Sequence, residues 1–232
     1  IPSMGTGLPF RSAADAIALV GLLAIARVFM SLAAMDIGTA FGTLGARRDM
    51  MIGFLAEPAL LMVIFVASLI SATTALPLIA ERLVVQPLAL YPSLAFTAVA
   101  FTMVLLAENA RIPVDNPATH LELTMIHEAM LLEYSARHLA LMEWAAALKL
   151  FNYACIGFAL FVPWGASIGE TGIGALALSI PALLAKLGVA GLWLALLETV
   201  SAKLRVFRAP EFMATAFMFA VLGLLVHLLL GA

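Results

Sequence analysis

The stretch AENARIPVDNPATHLELTMIHEAMLLEYSARHLALMEWAAALKL, residues 107–150, decides how this chain is organised. Ionisable side chains crowd into it between two long apolar spans. They are Glu108, Arg111, Asp115, His120, Glu122, His127, Glu128, Glu133, Arg137 and His138, with Glu143 and Lys149 following inside the next span. Charges this dense beside a lipid bilayer are costly unless they are paired or hydrated. The stretch is therefore a candidate functional site, and the apolar remainder is its frame.

The remainder of the chain has the composition of membrane helices. Of its 232 residues, 64% are hydrophobic and 11% are charged, whereas about a quarter of a soluble domain is charged. Windows of about twenty apolar residues predict six transmembrane helices. These lie at 13–35, 50–74, 88–106, 139–164, 173–197 and 212–230. We therefore predict an all-α polytopic membrane protein that forms a single integral membrane domain over residues 1–232.

Basic residues are distributed unequally between the two faces of this predicted bundle. One face carries the loops at 36–49, 107–138 and 198–210. It holds Arg47, Arg48, Arg111, Arg137, Lys203, Arg205 and Arg208, whereas the other face holds Arg11 and Arg82. Lysine and arginine concentrate in cytoplasmic loops of membrane proteins. We therefore expect the charged loop at 107–137 to face the cytoplasm.

Three basic residues fall inside predicted spans. We interpret Arg27 as a cation near a helix end whose head group extends to the membrane interface. Lys149 and Lys186 lie too deep for that, and they predict an internal polar path with acid partners or water. Glu143 precedes Lys149 by six residues, about 240° around a helix, so the partners should come from other helices.

A second candidate site lies in LGARRDMMIGFLAEPALL, residues 44–61. Arg47 and Arg48 stand at the cytoplasmic mouth of the second span, and Glu57 follows two to three turns inside it. Pro58 removes a backbone donor and loosens the preceding turn. Glu57 is therefore suited to be a stepping stone for a proton or another ion. A purely structural hydrogen bond is the alternative.

The charged loop has a local pattern of its own. The prolines on either side of Asp115 end the preceding helix and form an elbow. A new helix is expected from about residue 118, in which the eleven-residue spacing would place Glu122 and Glu133 on one stripe. Carboxylates confined together raise one another's pKa and can relay protons. The alternative is a hydrated loop that docks a partner.

Metal and redox centres are not predicted in this chain. The sequence HEAML departs from the zinc motif H-E-x-x-H at Leu131. Cys155 is the single cysteine, so it can form neither an internal disulfide nor an iron–sulfur site, and we expect it to be a buried apolar side chain. Nucleotide-binding and nucleophile motifs are missing from the sequence, so we assign no catalytic residue.

The stretch AENARIPVDNPATHLELTMIHEAMLLEYS resembles the signature loop of a membrane subunit shared by respiratory complex I and the energy-converting NiFe hydrogenases. The matching positions are Glu108, Arg111, Pro113, Asp115, Pro117, Glu122, Leu123, Glu133, Tyr134 and Ser135. Two departures from the complex I form are the replacement of its acids at 118–120 and a longer gap before Glu133 that carries HEAM. The longer gap is similar to the hydrogenase branch, which includes formate hydrogenlyase subunit 4 and the hydrogenase-4 membrane component. AMDIGTAFGTLGARRDMMIGFLAEPALL and ETVSAKLRVFRAPEF also resemble that branch.

The resemblance implies a subunit that anchors a peripheral redox arm and couples electron transfer to proton or sodium movement. Candidate ion-pathway residues are Glu57, Glu108, Asp115, Glu122, Glu128, Glu133, Glu143, Lys149 and Lys186. Candidates for contacting the arm or tuning the acids are Arg47, Arg48, Arg111, His120, His127 and Arg137. Members of the family have eight membrane helices, so we expect this chain, which starts at Ile1, to be the carboxy-terminal part of that fold without its first two helices.

The resemblance also implies partners and a location. We expect hydrogenase large and small subunits, which would carry the NiFe centre and iron–sulfur clusters, and antiporter-like membrane subunits, in the cytoplasmic (inner) membrane of a prokaryote. No cofactor or nucleic acid is expected on this chain. Two rival functions stay open: the quinone-site subunit of a complex I-type dehydrogenase, and a passive membrane anchor. Buried charge argues against the anchor.

Overall fold

The computed structural model describes residues 14–85, 91–115, 125–167, 173–204 and 208–230. Within these ranges the chain is all-α, with eight helices and no strand. The helices are α1 (Ala16–Asp36), α2 (Ala40–Ser71), α3 (Leu76–Val85), α4 (Ser93–Glu108), α5 (His127–Leu131), α6 (Ala136–Phe161), α7 (Ile173–Val200) and α8 (Ala209–Leu230). Five of them, α1, α2, α6, α7 and α8, are long and apolar enough to cross a membrane. The prediction of an all-α polytopic membrane protein is confirmed.

The predicted limits of two spans are wrong. Helix α2 begins at Ala40 rather than at residue 50, because the Thr39 hydroxyl caps it by accepting a hydrogen bond from the Gly42 amide at 3.3 Å. The third span is represented by α4, whose 16 residues measure about 24 Å. That is shorter than the hydrocarbon core of about 30 Å. The short helix α3 before it was not predicted.

The prediction of a continuous helix from about residue 118 to Glu133 is also wrong for the residues of this segment that the structure describes. Helix α5 covers only His127–Leu131, and Glu133 lies beyond it. The backbone at the start of α5 forms hydrogen bonds with side chains of other elements. Arg48 Nη1 donates to the Met125 carbonyl at 2.8 Å, and the His127 amide donates to Asp115 Oδ2 at 3.0 Å.

Helix α2 is the centre of the bundle and packs against α1, α4 and α8. These helices carry small residues that are fully buried, among them Ala59 of α2 and Ala216 and Ala220 of α8. Gly223 of α8 approaches α4 so closely that a methyl group there would stand 2.7 Å from Thr97 Cγ2. Helices in lipid associate through close van der Waals packing of this kind. Charged groups near α2 are therefore held between tightly packed helices.

Asp15 fixes the start of α1 at the end of the bundle remote from the elbow. Its carboxylate accepts hydrogen bonds from the amides of Ile17 and Ala18, both at 3.0 Å, and from the Thr74 hydroxyl. These bonds, led by the one from Thr74, lower the pKa of Asp15 below its ordinary value. The α1 start is thereby joined to the turn between α2 and α3.

Candidate functional site

Arg27 of α1 lies at the centre of a buried charge network. Its side chain is only 8% exposed, so the interpretation of Arg27 as a cation extended to the membrane interface is wrong. The guanidinium contacts Glu108 through Nη2, Asp49 through Nε at 3.7 Å and Glu57 through Nη1 at 3.4 Å. One cation from α1 is therefore shared by two acids of α2 and one of α4.

The guanidinium reaches this position because α2 carries no side chain where the two helices cross. Gly53 faces Arg27, and a methyl group on Gly53 would overlap the guanidinium. Asp49, Gly53 and Glu57 follow one another at four-residue intervals, so they lie on the same side of α2. The helix thus holds an acid one turn before and one turn after the gap that admits Arg27.

Lys149 of α6 supplies the second cation of the network. Its Nζ lies 3.0 Å from Glu108 Oε2, so its partner is on another helix, as the sequence predicted, and is not Glu143. The Glu108 side chain is 2% exposed and stands between Lys149 and Arg27. The buried Tyr153 hydroxyl also interacts with Glu108. Glu108 is therefore the junction between α1, α4 and α6.

The charges of this network do not cancel when all its groups are ionised. Among the described residues, it joins the carboxyl groups of Asp49, Glu57 and Glu108 to the cations of Arg27 and Lys149. Three acids face two bases. Uncompensated charge is strongly disfavoured in a low-dielectric interior. One bound proton would make the network neutral, so the arrangement is suited to hold a proton.

The elbow, residues 109–115, is tied to two other elements. Asp115, which is buried, accepts from the His127 amide and lies 3.8 Å from Lys203 Nζ through Oδ1. The Leu204 amide donates to the Pro113 carbonyl at 2.9 Å. Burial lowers the pKa of Lys203 below its ordinary value. The elbow thus connects α5 to the segment between α7 and α8.

Arg111 and His127, both singled out from the sequence, also lie at or near the elbow. Arg111 Nη1 lies 3.5 Å from Glu198 Oε1 near the end of α7. His127 begins α5, and burial, reinforced by the nearby Lys149, lowers its pKa to about 4. His127 is therefore neutral at neutral pH.

A cavity of about 1290 Å³ opens beside the network. Its walls are mostly apolar residues of α1, α4, α6 and α7, and its polar end holds Glu108, Arg111, His127, Glu128 and Lys149. Among the described side chains of α7, which forms part of the wall, only Ser179 and Leu183 are buried. The cavity is large and mostly apolar, and the charge network lies at its polar end.

The structure brings together only some of the predicted site residues. Glu57, Glu108 and Lys149 meet in the network, and Arg48, Arg111, Asp115 and His127 meet around the elbow. Glu133, Arg137, Glu143 and Arg47 are exposed, so the confined cluster expected to include Glu133 is wrong for that residue. Lys186 lies apart, where its Nζ donates to the Val162 carbonyl at 2.7 Å and stands 5.8 Å from the centre of the Phe158 ring. Glu122 and His120 lie outside the described residues.

Sequence reasoning missed Asp49, Tyr153 and the true position of Arg27. A signal for Asp49 was present: the four-residue spacing through Gly53 to Glu57 is the pattern of one helix face. The role of Tyr153 had no comparable signal, because it depends on how α6 packs against α4.

Comparisons with known proteins extend over nearly the whole chain. It is 31% identical over 223 residues to formate hydrogenlyase subunit 4 of Escherichia coli strain K12, covering 96% of this chain and 71% of that protein. It is 32% identical over 165 residues to hydrogenase-4 component C of the same strain, covering 71% of this chain and 51% of that protein.

A solved structure has the same fold. It is the structure of the membrane-bound sulfane sulfur reductase (MBS), an archaeal respiratory membrane complex, and it matches with a TM-score of 0.72 and 19% identity. The match covers 90% of this chain and 67% of that one. The sequence model of the NADH dehydrogenase family matches residues 1–229, so this chain belongs to the NADH dehydrogenase family.

Proposed function

We propose that this chain is the membrane subunit of a hydrogenase-type respiratory complex, in which it anchors a peripheral redox arm and couples electron transfer to proton or sodium movement. Two named relatives support the hydrogenase assignment, one a formate hydrogenlyase subunit and the other a hydrogenase-4 component. The domain is proposed to lie in the cytoplasmic membrane of a prokaryote with the elbow and α5 facing the cytoplasm.

The observation that carries the coupling role is the network around the buried pair Arg27 and Glu108, which has three carboxyl groups and two cations. Glu108 lies at the elbow end of α4, whereas Glu57 lies about 12 Å further along α2 than Asp49, by the rise of 1.5 Å per residue. The network therefore extends from the elbow into the membrane-spanning part. Its excess carboxyl group favours one bound proton, which is the property an ion relay needs.

Glu108 is a pivot, because both Arg27 and Lys149 compete for its carboxylate. If a partner draws Lys149 away, Arg27 is held more strongly by Glu108 and less by Glu57, so the affinity of Glu57 for a proton rises. Return of Lys149 reverses the change. Movement at the polar end of the cavity would thus be converted into proton uptake and release at Glu57.

The redox chemistry is assigned to partner subunits. Cys155 is the single cysteine of the chain and is buried in α6, so cysteine ligands for a NiFe centre or iron–sulfur clusters would come from other chains. Hydrogenase large and small subunits and antiporter-like membrane subunits are the partners that the resemblance implies. Exposed Arg47, Glu133 and Arg137 are candidates for docking the arm.

The size of the cavity favours a second candidate function, a quinone site in a complex I-type dehydrogenase. Pockets for drug-sized ligands occupy about 300–1,000 Å³ and combine apolar walls with a few polar groups. The cavity beside Glu108, at about 1290 Å³, exceeds this range and so has room for such a ligand, and it combines apolar walls with a few polar groups. Inhibition of the purified complex by quinone-site ligands would support this function over the first.

Replacement of Glu57 by glutamine tests the coupling role. The amide keeps the size of the side chain but does not take up a proton, so we expect Glu57→Gln to abolish ion transport while the complex still assembles and transfers electrons. Glu211→Gln, at an exposed position in the first turn of α8, is the matched control. Ion movement into inverted vesicles during turnover is the measurement. Normal transport by Glu57→Gln would exclude the relay.

A further inference from the structure

Tyr153 of α6 belongs to the charge network although it carries no charge. It follows Lys149 by one helical turn, so the two side chains lie on the same side of α6. Its hydroxyl forms a hydrogen bond with Glu108, and Arg27 and Glu57 lie near enough to act on it electrostatically. Tyr153 is 1% exposed, so this chain encloses it and leaves no surface for an outside helix to cover.

Apolar packing holds the Tyr153 ring in place. The ring lies 6.4 Å, centre to centre, from the ring of Phe101 on α4. Gly157, one turn further along α6, leaves room for Phe101, because a methyl group there would stand 2.9 Å from Phe101 Cε1. Phe101 and Glu108 are seven residues apart on α4, close to two full turns, so they lie on the same side. One face of α4 therefore holds both the ring that packs against Tyr153 and the carboxyl group that its hydroxyl meets.

The Tyr153 hydroxyl favours the ionised form of Glu108. A buried tyrosine hydroxyl needs a hydrogen-bond partner, and a hydrogen bond to an ionised group is about twice as strong as one between neutral groups. A donor directed at a carboxyl group therefore stabilises its charged form and opposes proton binding. Removing the hydroxyl should make the network bind a proton more tightly, because Glu108 would lose a donor.

The charged and titratable groups around Glu108 come from four helices. Among the described residues they are Arg27 of α1, Asp49 and Glu57 of α2, His127 of α5, and Lys149 and Tyr153 of α6. The two cations stabilise the Glu108 carboxylate, and the two acids oppose it. Tyr153 adds a donor without adding a charge. A change at this position therefore alters the proton affinity of Glu108 and leaves the net charge of the network as it is.

We propose that Tyr153 is a positioning residue of the ion relay: its hydroxyl donates to Glu108, stabilises that group as a carboxylate and so sets the pH at which the network takes up a proton. The inference rests on the proposed function, since it assigns this pH to the relay that the coupling role requires. Loss of a hydrogen bond to a charged group should raise the proton affinity of the network about tenfold, which moves proton uptake about one unit towards higher pH.

Infrared difference spectroscopy of the purified complex, perfused with buffers of decreasing pH, measures proton uptake by its carboxyl groups. Tyr153→Phe removes the hydroxyl and keeps the ring against Phe101. We expect this variant to add a carboxyl signal at a pH about one unit higher than the unchanged protein does, by the tenfold change in affinity. Tyr91→Phe is the matched control, because it is the same change beside His227, away from the network. Its spectra should match those of the unchanged protein.

Replacement of Glu108 by glutamine shows whether Tyr153 acts through that carboxyl group. In the Glu108→Gln background, Tyr153→Phe should shift nothing, because the interaction it removes is already lost. A residue that only supported helix packing would give the same shift in both backgrounds. If Tyr153→Phe does not accumulate, 3-fluorotyrosine at position 153 decides instead. It keeps the hydroxyl as a stronger donor, so proton uptake should move to lower pH, and only when Glu108 is present.

An unchanged pH of carboxyl uptake in Tyr153→Phe would overturn the inference, and so would equal shifts with and without Glu108. Ion transport into inverted vesicles separates this failure from failure of the coupling role. Loss of transport in Glu57→Gln without an infrared shift in Tyr153→Phe overturns the inference and leaves the relay standing. An infrared shift that depends on Glu108, with normal transport by Glu57→Gln, supports the action of Tyr153 on Glu108 and excludes the relay.

Discussion

A methyl group on Gly53 would occupy the space that the Arg27 guanidinium fills. We therefore expect Gly53→Ala to displace Arg27 from Asp49, Glu57 and Glu108 and to leave buried acids without their cation. Breaking a buried ion pair costs about 3–5 kcal/mol; partial displacement should cost about 2–3 kcal/mol. The measurement is thermal unfolding of the purified complex in detergent, together with ion transport.

Gly21 provides the matched control for that substitution. It lies in α1, and a methyl group there would meet no atom within 4 Å. Replacing a glycine by alanine inside a helix is ordinarily stabilising by up to about 1 kcal/mol. Equal effects of Gly53→Ala and Gly21→Ala would show that the fit around Arg27 is unimportant.

His127 should make stability depend on pH. Its pKa of about 4 lies below the ordinary 6.5, so between these values the unfolded chain binds more protons than the folded one. Stability therefore falls as the pH drops from 6.5 towards 4, by up to about 3 kcal/mol. Thermal unfolding of the chain at pH 7.5 and pH 5 measures the fall. His127→Asn should show a smaller fall, and the same fall in both proteins would contradict the assignment.

At the scale of elements, Asp115 holds three segments together. It binds the start of α5 through the His127 amide and the α7–α8 connection through Lys203. Asp115→Asn keeps an acceptor for the amide but removes the charge, so we expect hydrogen exchange of residues 201–204 to rise about tenfold, equivalent to about 1.4 kcal/mol. Exchange around residues 125–131 should change less.

Two further variants make this prediction specific. Asp115→Ala removes both interactions and should accelerate exchange in both segments. Asp36→Asn, at the exposed end of α1, should alter neither. If Asp115→Asn and Asp36→Asn give the same exchange pattern, the elbow is held by its backbone bonds rather than by the Asp115 carboxylate.

The elements could be predicted from sequence to different extents. Long apolar runs predict membrane helices well because lipid requires every backbone group to bond within its own segment. The predicted start of α2 is too late because its first turns contain glycines, which are unfavourable inside helices. Gly45 serves there as a contact site, where a methyl group would stand 2.7 Å from the Ile126 carbonyl oxygen. The extent of α5 depended on bonds from Arg48 and to Asp115, which no local pattern reveals.

At the scale of the whole molecule, several charged residues of the site could be predicted from the sequence, but the contacts between them could not. Glu57, Glu108 and Lys149 were noticeable because charge is rare in membrane helices. Arg27 was misread because sequence distance from a helix end does not reveal which neighbour a side chain meets. The same limitation applies to Glu133, which is exposed although its spacing suited a shared stripe.

Most basic residues outside the membrane-spanning helices lie at one end of the described bundle, with Arg82 of α3 at the other, and this permits a test of its orientation. Arg48 binds the segment before α5, Arg111 binds Glu198, and Lys203 lies beside Asp115. Asp15 and Thr74 mark the opposite end. Since basic loops stay in the cytoplasm, the elbow end should face it.

Single cysteines at the two ends of α6 measure this orientation. Glu133 precedes the helix and Trp164 follows it, and both are exposed. Cys155→Ala first removes the buried native thiol. In spheroplasts, a membrane-impermeant maleimide should label Trp164→Cys and leave Glu133→Cys unlabelled. Inverted vesicles stripped of peripheral subunits should give the reverse, because an odd number of crossings separates the two positions. Labelling of Glu133→Cys in intact spheroplasts would mean that the elbow faces outward, and the coupling scheme would then lack access to a cytoplasmic arm.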